Sequence, residues 1–354
     1  MASSRVIGLD IGTTAVRAVE VEFGSGGPAA TASPTLHHAA AAPLPPGAVR
    51  EGEVVDQRVV SDVIRSLWSK GGFSSKDVVI GVGNQRVIVR ELELPWMPLG
   101  QLKASLPFQV QELLPVASAD ALLDYYPTGE STNEGGRHVQ GILVAAQRDT
   151  VAANVVAVEG AGLRPVLVDL NGFALLRALC RGEYTEHVVA FVDIGARLTN
   201  VVVADAGAPR LVRVLPSGGQ GITDAVAAAL QVSQPEADAV KRSVGLGFSP
   251  APGHEVAAEA IVEASRTLVE SIRNTFVYYS STNPGRSIET IVVTGGGSQL
   301  PGLGQFLSSS TRLSATPGDP LAGFRFGKNV DRGRLQGAES QVALPVGLAY
   351  GVAA

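Results

Sequence analysis

Two distant segments of the chain carry the same residue types in the same order. Val6-Ile7-Gly8-Leu9-Asp10-Ile11-Gly12-Thr13-Thr14 and Phe191-Val192-Asp193-Ile194-Gly195-Ala196-Arg197-Leu198-Thr199 each run an apolar strand into Asp-Ile-Gly, add hydroxyl residues, and continue into a second strand. Glycine lets a backbone turn tightly and approach an anion closely. The exposed N–H groups of such a turn form an anion-binding concavity, to which threonine hydroxyls add donors. An aspartate at a strand end can orient hydrated Mg²⁺, which keeps most of its waters and needs few carboxylates. A third segment, Thr294-Gly295-Gly296-Gly297-Ser298-Gln299, follows the apolar run 288–293. A loop free of side chains there admits a flat ring or a phosphate against main chain. Each segment alone is an ordinary turn; their repetition in matching strand contexts marks them as a site.

The elements that must position these turns alternate between strand-sized and helix-sized apolar patterns, which predicts a layered α/β architecture. Strands are expected at 6–9 and 15–21, then a helix at 59–68 stopped by Gly71-Gly72. Strands at 78–82 and 87–94 are joined through Gly83-Asn84-Gln85. A helix at 99–114 carries Pro107, which is expected to kink or end it. Strands at 121–126 and 138–145 flank a polar loop, so 83–148 reads as a small inserted α/β subdomain. A helix at 150–159 and a strand at 165–168 close the first half. The second half restarts with strands at 188–192, 200–204 and 210–215, and helices at 222–230, 235–244 and 255–279. The strand at 288–293 and an apolar helix at 342–352 complete it. The stretch 24–47, biased to Gly, Ala and Pro, reads as an extended or mobile connection.

Composition narrows the function classes. The 354 residues carry a net charge of −5, which argues against a nucleic-acid binder working through a broad basic surface. One cysteine, Cys180, excludes an internal disulfide framework or a multi-cysteine metal site and reads as an apolar filler. The first residues lack the charged and apolar regions of a secretory signal, and no run of about 20 apolar residues offers a bilayer span. A cytoplasmic protein is expected, one that could sit at a membrane through a partner.

The ordered set of two Asp-x-Gly hairpins and a strand-end Gly-Gly-Gly resembles the phosphate and adenosine motifs of the superfamily of actin, heat-shock and sugar-kinase ATPases. Within it the chain is similar to the PilM family of type IV pilus assembly, itself FtsA-like. Four further segments carry that likeness: Pro43 to Asp56; Val87 to Pro98; Glu112-Leu113-Leu114-Pro115 with Asp124-Tyr125-Tyr126; and Ser217-Gly218-Gly219 with Ile222-Thr223 and Glu236 to Arg242. The resemblance spans about residues 4–352. It implies an actin-like ATPase fold of two duplicated RNase-H-like lobes with an inserted 1C subdomain. Subdomain 1A would take 1–82 and 149–186, 1C 83–148, 2A 187–219 and 284–354, and 2B 220–283.

The resemblance also implies ATP and Mg²⁺. Gly12, Thr13 and Thr14 would hold phosphates from one side and Gly195 from the other, with Asp10 and Asp193 placing Mg²⁺ through water. Gly218 and Gly219 would line the cleft, Lys241 would approach the adenosine, and Gly295, Gly296, Gly297, Ser298 and Gln299 would cradle base and sugar. Gly295→Val is expected to abolish binding by filling the backbone approach. The implied partner is the N-terminal cytoplasmic peptide of a PilN-like inner-membrane protein, taken between 1A and 1C, with self-association as a second contact. The 1C helix departs from the family pattern at Phe108-Gln109-Val110-Gln111.

Hydrolysis needs a group that orients the attacking water. Asp10 and Asp193 are the candidates, and none of His37, His38, His138, His187 or His254 stands in a distinctive context. Slow hydrolysis at most is expected. Asp169 and Asn171 fall at a helix start, where an N-cap accounts for Asn171. Two alternatives are an FtsA-like division protein and a small-molecule kinase. The last residues, 346–354, hold no Lys or Arg for an amphipathic basic anchor, and no sugar pocket with a base is legible.

Overall fold

The structure is a computed structural model and describes residues 4–24, 27, 33–133, 135–247 and 252–353. Two lobes repeat one sheet pattern. In the first, Ser4–Ile11 pairs antiparallel with Ala15–Phe23, which pairs antiparallel with Thr35–Pro43. On the other side of Ser4–Ile11 lie Asp77–Val82 and then Arg164–Leu170, both parallel. In the second lobe Val188–Ile194, Thr199–Asp205 and Ala208–Leu215 form the antiparallel half. Thr290–Thr294 and Ser314–Pro317 add in parallel on the opposite side.

The strands Val188–Ile194 and Thr199–Asp205 are buried along their whole length. Helices cover both faces of their sheet, so these strands read as continuous apolar runs rather than alternating ones. On the outer face of the first lobe, helix Gln57–Gly71 sets Val60, Ile64 and Leu67 against Ile7, Leu9, Val78 and Ile80. Asp56 caps that helix by accepting from the Val59 N–H at 3.0 Å, and Gly72 ends it in the left-handed region. In the second lobe Gly219–Leu230, Gln234–Val244, Glu255–Thr282 and Leu303–Thr311 cover the outer face. Glu236 forms a capping box with Ser233 at the start of Gln234–Val244.

Between the two sheets run helices Asn171–Leu179 and Ala343–Ala349. One apolar cluster joins Val19 and Val21 of the first sheet, Leu175, Leu176 and Val346 of these helices, and Val202, Val212 and Val292 of the second sheet. Glycines set the closeness. A Cβ on Gly8 would stand 1.9 Å from Pro345 O, one on Gly347 1.8 Å from Ala174 O, and one on Gly172 2.4 Å from Val212.

Residues 87–147 form a separate layer. Val87–Pro95, Gly136–Gln147 and Ala121–Asn133 make a three-stranded sheet in that order, with helix Leu99–Gln109 packed on it through Leu102 and Leu106. Tyr125 anchors this core with its hydroxyl 2.7 Å from Leu92 O and 2.9 Å from Val139 O.

Three expectations change. Residues 35–43 are a sheet strand and not a connection. Their alanines argue against a strand by propensity, but Ala40 and Ala42 pack into the cluster beneath helix Gln57–Gly71 and Leu36 is fully buried. Of the same stretch, 25–26 and 28–32 lie outside the described residues. The helix carrying Pro107 ends at Gln109, and a 3₁₀ turn, Gln111–Leu113, follows. The closing segment returns to the first lobe: Arg325–Phe326 pairs with Thr35-Leu36, and Ala343–Ala349 lies on Ser4–Ile11.

Candidate functional site

Each Asp-Ile-Gly turn is closed by the same bond. Gly12 N–H donates to Ala15 O at 3.0 Å, and Gly195 N–H donates to Leu198 O at 2.9 Å. The two turns face one cleft of about 340 Å³ between the lobes. Of the residues singled out from the sequence, Asp10, Gly12, Thr13, Thr14, Asp193, Gly195, Gly219, Lys241, Gly295, Gly296, Gly297 and Gln299 line it. Gly218 and Ser298 stand behind the wall. A Cβ on Gly218 would lie 2.6 Å from Gly195 O, so this glycine lets the 217–219 loop press onto the second turn. The next two amides bond there, Gly219 N–H to Gly195 O at 2.9 Å and Gln220 N–H to Ala196 O at 2.7 Å. Ser298 spends its hydroxyl on Gly295 O at 2.7 Å, tightening the glycine turn.

The three glycines of that turn do different work. Gly295 has φ +87, and a Cβ there would meet Ile194 O at 2.4 Å. Gly297 is pressed on Ile194 and Gly195 O. Gly296 has open space where a Cβ would be, and lines the cleft. Gly295→Val therefore breaks the join between two strand ends instead of filling the approach of a ligand; Gly296, which lines the cleft and has room for a Cβ, is the position where volume can be added without breaking that join.

Both aspartates are buried. Burial lifts Asp10 to about 6, with Arg17 pulling it down and Asp193 pushing it up. Burial likewise raises Asp193, against hydrogen bonds from Asn200 at 3.4 Å and Thr294 at 3.2 Å. Arg17 and Asn200 were not singled out from the sequence, although the signal was present. Each is the cross-strand partner of its hairpin's aspartate, seven residues on in both copies. Arg17 reaches Gln341 at 3.5 Å, and Gln341 donates to Gln299 at 2.9 Å, so a polar chain links the first turn to the glycine loop. Lys241 is held at the cleft edge by Thr223 at 2.7 Å, Asp238 at 2.8 Å and Gly219 O at 3.2 Å.

Asn171 is not a helix cap. Leu170 takes that place, and the Asn171 side chain lines the cleft. Asp169 instead pairs with Arg177, whose pKa burial lowers to about 10. None of the five histidines lines the cleft among the described residues. His38 and His37 sit on the strand Thr35–Pro43 beside Glu20 and Glu22. Burial pushes the Cys180 thiol up to about 11, consistent with a filler.

A Mg²⁺–phosphate group fits this donor set. Two buried carboxylates with raised pKa values face one arginine, and the Asn200 Oδ1 is buried without a partner among the described residues. A cation would relieve the first condition, and metal-bound water would satisfy the second.

The model of the type IV pilus assembly protein PilM matches residues 8–351. The chain belongs to the PilM family. A PilM-PilN type IV pilus biogenesis complex contains a chain similar to this one, at 29% identity and a TM-score of 0.84, with 98% of each chain covered. MreB5 of Spiroplasma citri bound to AMPPNP shares the fold at 12% identity and a TM-score of 0.55, covering 98% of this chain and 95% of its own. The cell division protein FtsA of Bacillus subtilis is 29% identical over 110 residues, which are 31% of this chain and a quarter of FtsA. The PilM chain thus has an actin-like fold, and among the described residues no helix is long and apolar enough to cross a membrane.

Proposed function

We propose that this PilM-family chain is a nucleotide-responsive scaffold of type IV pilus assembly. The observation that carries the reading is the pair of identically closed Asp-Ile-Gly turns facing one cleft, each with its aspartate buried. Gly12, Thr13 and Thr14 hold phosphates from the first lobe and Gly195 from the second. Asp10 and Asp193 orient hydrated Mg²⁺, which when bound neutralises phosphate charge. Gly219, Lys241, Gly295 to Gly297 and Gln299 receive the adenosine, while Gly218 and Ser298 hold the shape of those walls. The cleft residues bind and orient; among the described residues that line it, the carboxylates are Asp10, Asp193 and Asp238, the last engaged by Lys241 and Arg242. Hydrolysis is accordingly slow.

The small subdomain 83–148, taken as 1C beside 1A, supplies one wall of a groove for the N-terminal cytoplasmic peptide of a PilN-like inner-membrane protein. The related complex, whose printed description pairs PilM with PilN, supports this partner. Attachment to the membrane then comes through the partner. Titration of a labelled peptide of that segment, with and without Mg-ATP, tests the reading. Saturable binding whose affinity differs between the two states is expected, and light scattering on the same samples reads self-association. Undetectable peptide binding in both states removes the scaffold role.

A further inference from the structure

Gly52 lines the cleft but belongs to neither phosphate turn. It sits at the tip of a short hairpin in which Val49–Arg50 pairs antiparallel with Glu53–Val54. The two residues between them, Glu51 and Gly52, have φ +50 and +80, as the primed two-residue hairpin turns require. The base of the hairpin is fixed to the first lobe. Val49 and Val54 are buried in the cluster beneath helix Gln57–Gly71, and just before the hairpin Leu44 N–H donates to Thr14 O of the first phosphate turn at 2.9 Å. The tip reaches the second lobe. A Cβ on Gly52 would stand 2.6 Å from Leu198 Cδ1, and 3.1 Å from both Gly83 O and Asn84 Cβ. Gly52 is thus pinched between the second turn, whose closing bond ends on Leu198 O, and the segment that leads out to the inserted subdomain.

Glu53 ties this hairpin to both chain crossings of that subdomain. Residues 83–86 carry the chain out from Asp77–Val82 to Val87–Pro95, and helix Arg148–Gly160 takes it back from Gly136–Gln147. On the outgoing crossing, Glu53 Oε1 accepts from Arg86 Nε at 3.0 Å and meets Asn84 Nδ2 at 3.5 Å. On the returning one, the same oxygen accepts from the Thr150 hydroxyl at 3.4 Å. Arg86 continues to Asp149 at 3.2 Å, so the two crossings are also joined to each other. Asn84 and Thr150 are buried, and Glu53 is half-buried. A carboxylate so placed, with a guanidinium among its donors, is screened less by water than a surface pair and holds more strongly.

We propose that Glu53 is a positioning residue that sets the inserted subdomain against the first lobe, and that its hairpin relays closure of the cleft to that subdomain. The relay rests on the nucleotide reading above. A ligand that draws the second turn onto the first presses Leu198 on Gly52. The hairpin base does not yield, because it is packed in the core and bonded to the first turn. The displacement falls on the tip, and through Glu53 on both crossings. The subdomain pivots on those crossings, so the groove at its border with the first lobe changes width.

Hydrogen exchange of the full chain separates the tie from the relay. The Arg86 amide donates to Asn84 Oδ1 at 2.9 Å and the Val87 amide to Asn84 O at 3.1 Å, so both report on the outgoing crossing. Without nucleotide, Glu53→Ala is expected to exchange these amides about tenfold faster or more than wild type, with strand Thr199–Asp205 unchanged. Glu53→Gln, which keeps an acceptor oxygen, should stay within about threefold of wild type. If Glu53→Ala does not fold, Arg86→Ala removes the same contact from its exposed end and should show the same loss. Wild-type exchange in the variant that folds overturns the tie. With Mg-AMPPNP, exchange of the two amides in wild type should change by about threefold or more. Glu53→Ala, or Arg86→Ala in its place, should bind the nucleotide within about threefold of wild-type affinity and show no such response. An equal response in both proteins, or none in a wild type that binds nucleotide, overturns the relay. Failure of the wild type to bind nucleotide overturns the reading of the cleft and the relay with it, and leaves exchange without nucleotide to decide the tie.

Discussion

Asp10 is a residue whose function works against its own stability. Its usual carboxyl pKa is 3.8 and burial lifts it to about 6. An acid with a raised folded pKa carries no penalty below its unfolded value and the full penalty above its folded one. The nucleotide-free protein is therefore favoured as pH falls from about 6 towards 4, by roughly 3 kcal/mol at this one site. Asp10→Asn should lose that dependence, unfold at higher denaturant than wild type at pH 7.5, and lose Mg²⁺-dependent nucleotide binding. Urea melts of both proteins at pH 4.5 and 7.5 check it; equal differences at the two pH values contradict it. At this scale the sequence disclosed the turn glycines and both aspartates, because repetition marks them. Arg17 and Asn200 carry a signal, the shared seven-residue spacing, that gains meaning only with the cross-strand register, and Asn171 was read as a cap because its side chain is steered by Gly81 and Gly83 on another element. The sequence also could not tell Gly295 from Gly296, since only the backbone shows which Cβ direction is blocked.

At the scale of elements, the two helices between the sheets decide whether the turns meet. Ala343–Ala349 touches Asn171–Leu179 at Gly347, where added volume meets the backbone of Ala174 and not a movable side chain. Gly347→Ala should cost about 3 kcal/mol or more, at or beyond the upper end of overpacking effects. Because the same cluster holds both sheets, the loss should appear as one lowered transition and not as the melting of one lobe. Calorimetry checks both points, and an unchanged midpoint refutes this account of the packing. Most elements were legible from periodicity. The exceptions have tertiary causes. Thr35–Pro43 is a strand because a sheet edge and a helix await its small side chains. The terminal apolar segment divides into Glu339–Val342, Ala343–Ala349 and Tyr350–Ala353 where a single helix was expected.

For the whole molecule, the question is how a ligand in the cleft is felt by the subdomain that takes a partner. The inserted strand Val87–Pro95 runs beside Ala208–Leu215 of the second lobe. There burial raises the Glu91 carboxyl while Arg210 draws it part of the way back. This contact joins the insertion to the lobe opposite the one it grows from. Arg210→Ala should leave nucleotide and peptide affinities nearly intact when each is measured alone. The factor by which one ligand changes the other's affinity should fall, equally in both directions as linkage requires. Paired titrations measure it; full coupling in the variant would show that this contact does not transmit closure. The repeated strand–turn–strand unit was foreseen from the two Asp-Ile-Gly segments, and the duplication of whole lobes was what the family resemblance implied. The return of Arg325–Phe326 to the first sheet was not, because a two-residue parallel pairing leaves no periodic trace.

The most direct test of the cleft as a nucleotide site is calorimetric titration of Mg-ATP into wild type and Gly296→Val. Gly296 has free space for a side chain, so the variant should fold with the wild-type circular dichroism spectrum. One ATP per wild-type chain and none per Gly296→Val chain is the predicted result. Equal binding by the two proteins, or no binding by the wild type, would contradict it.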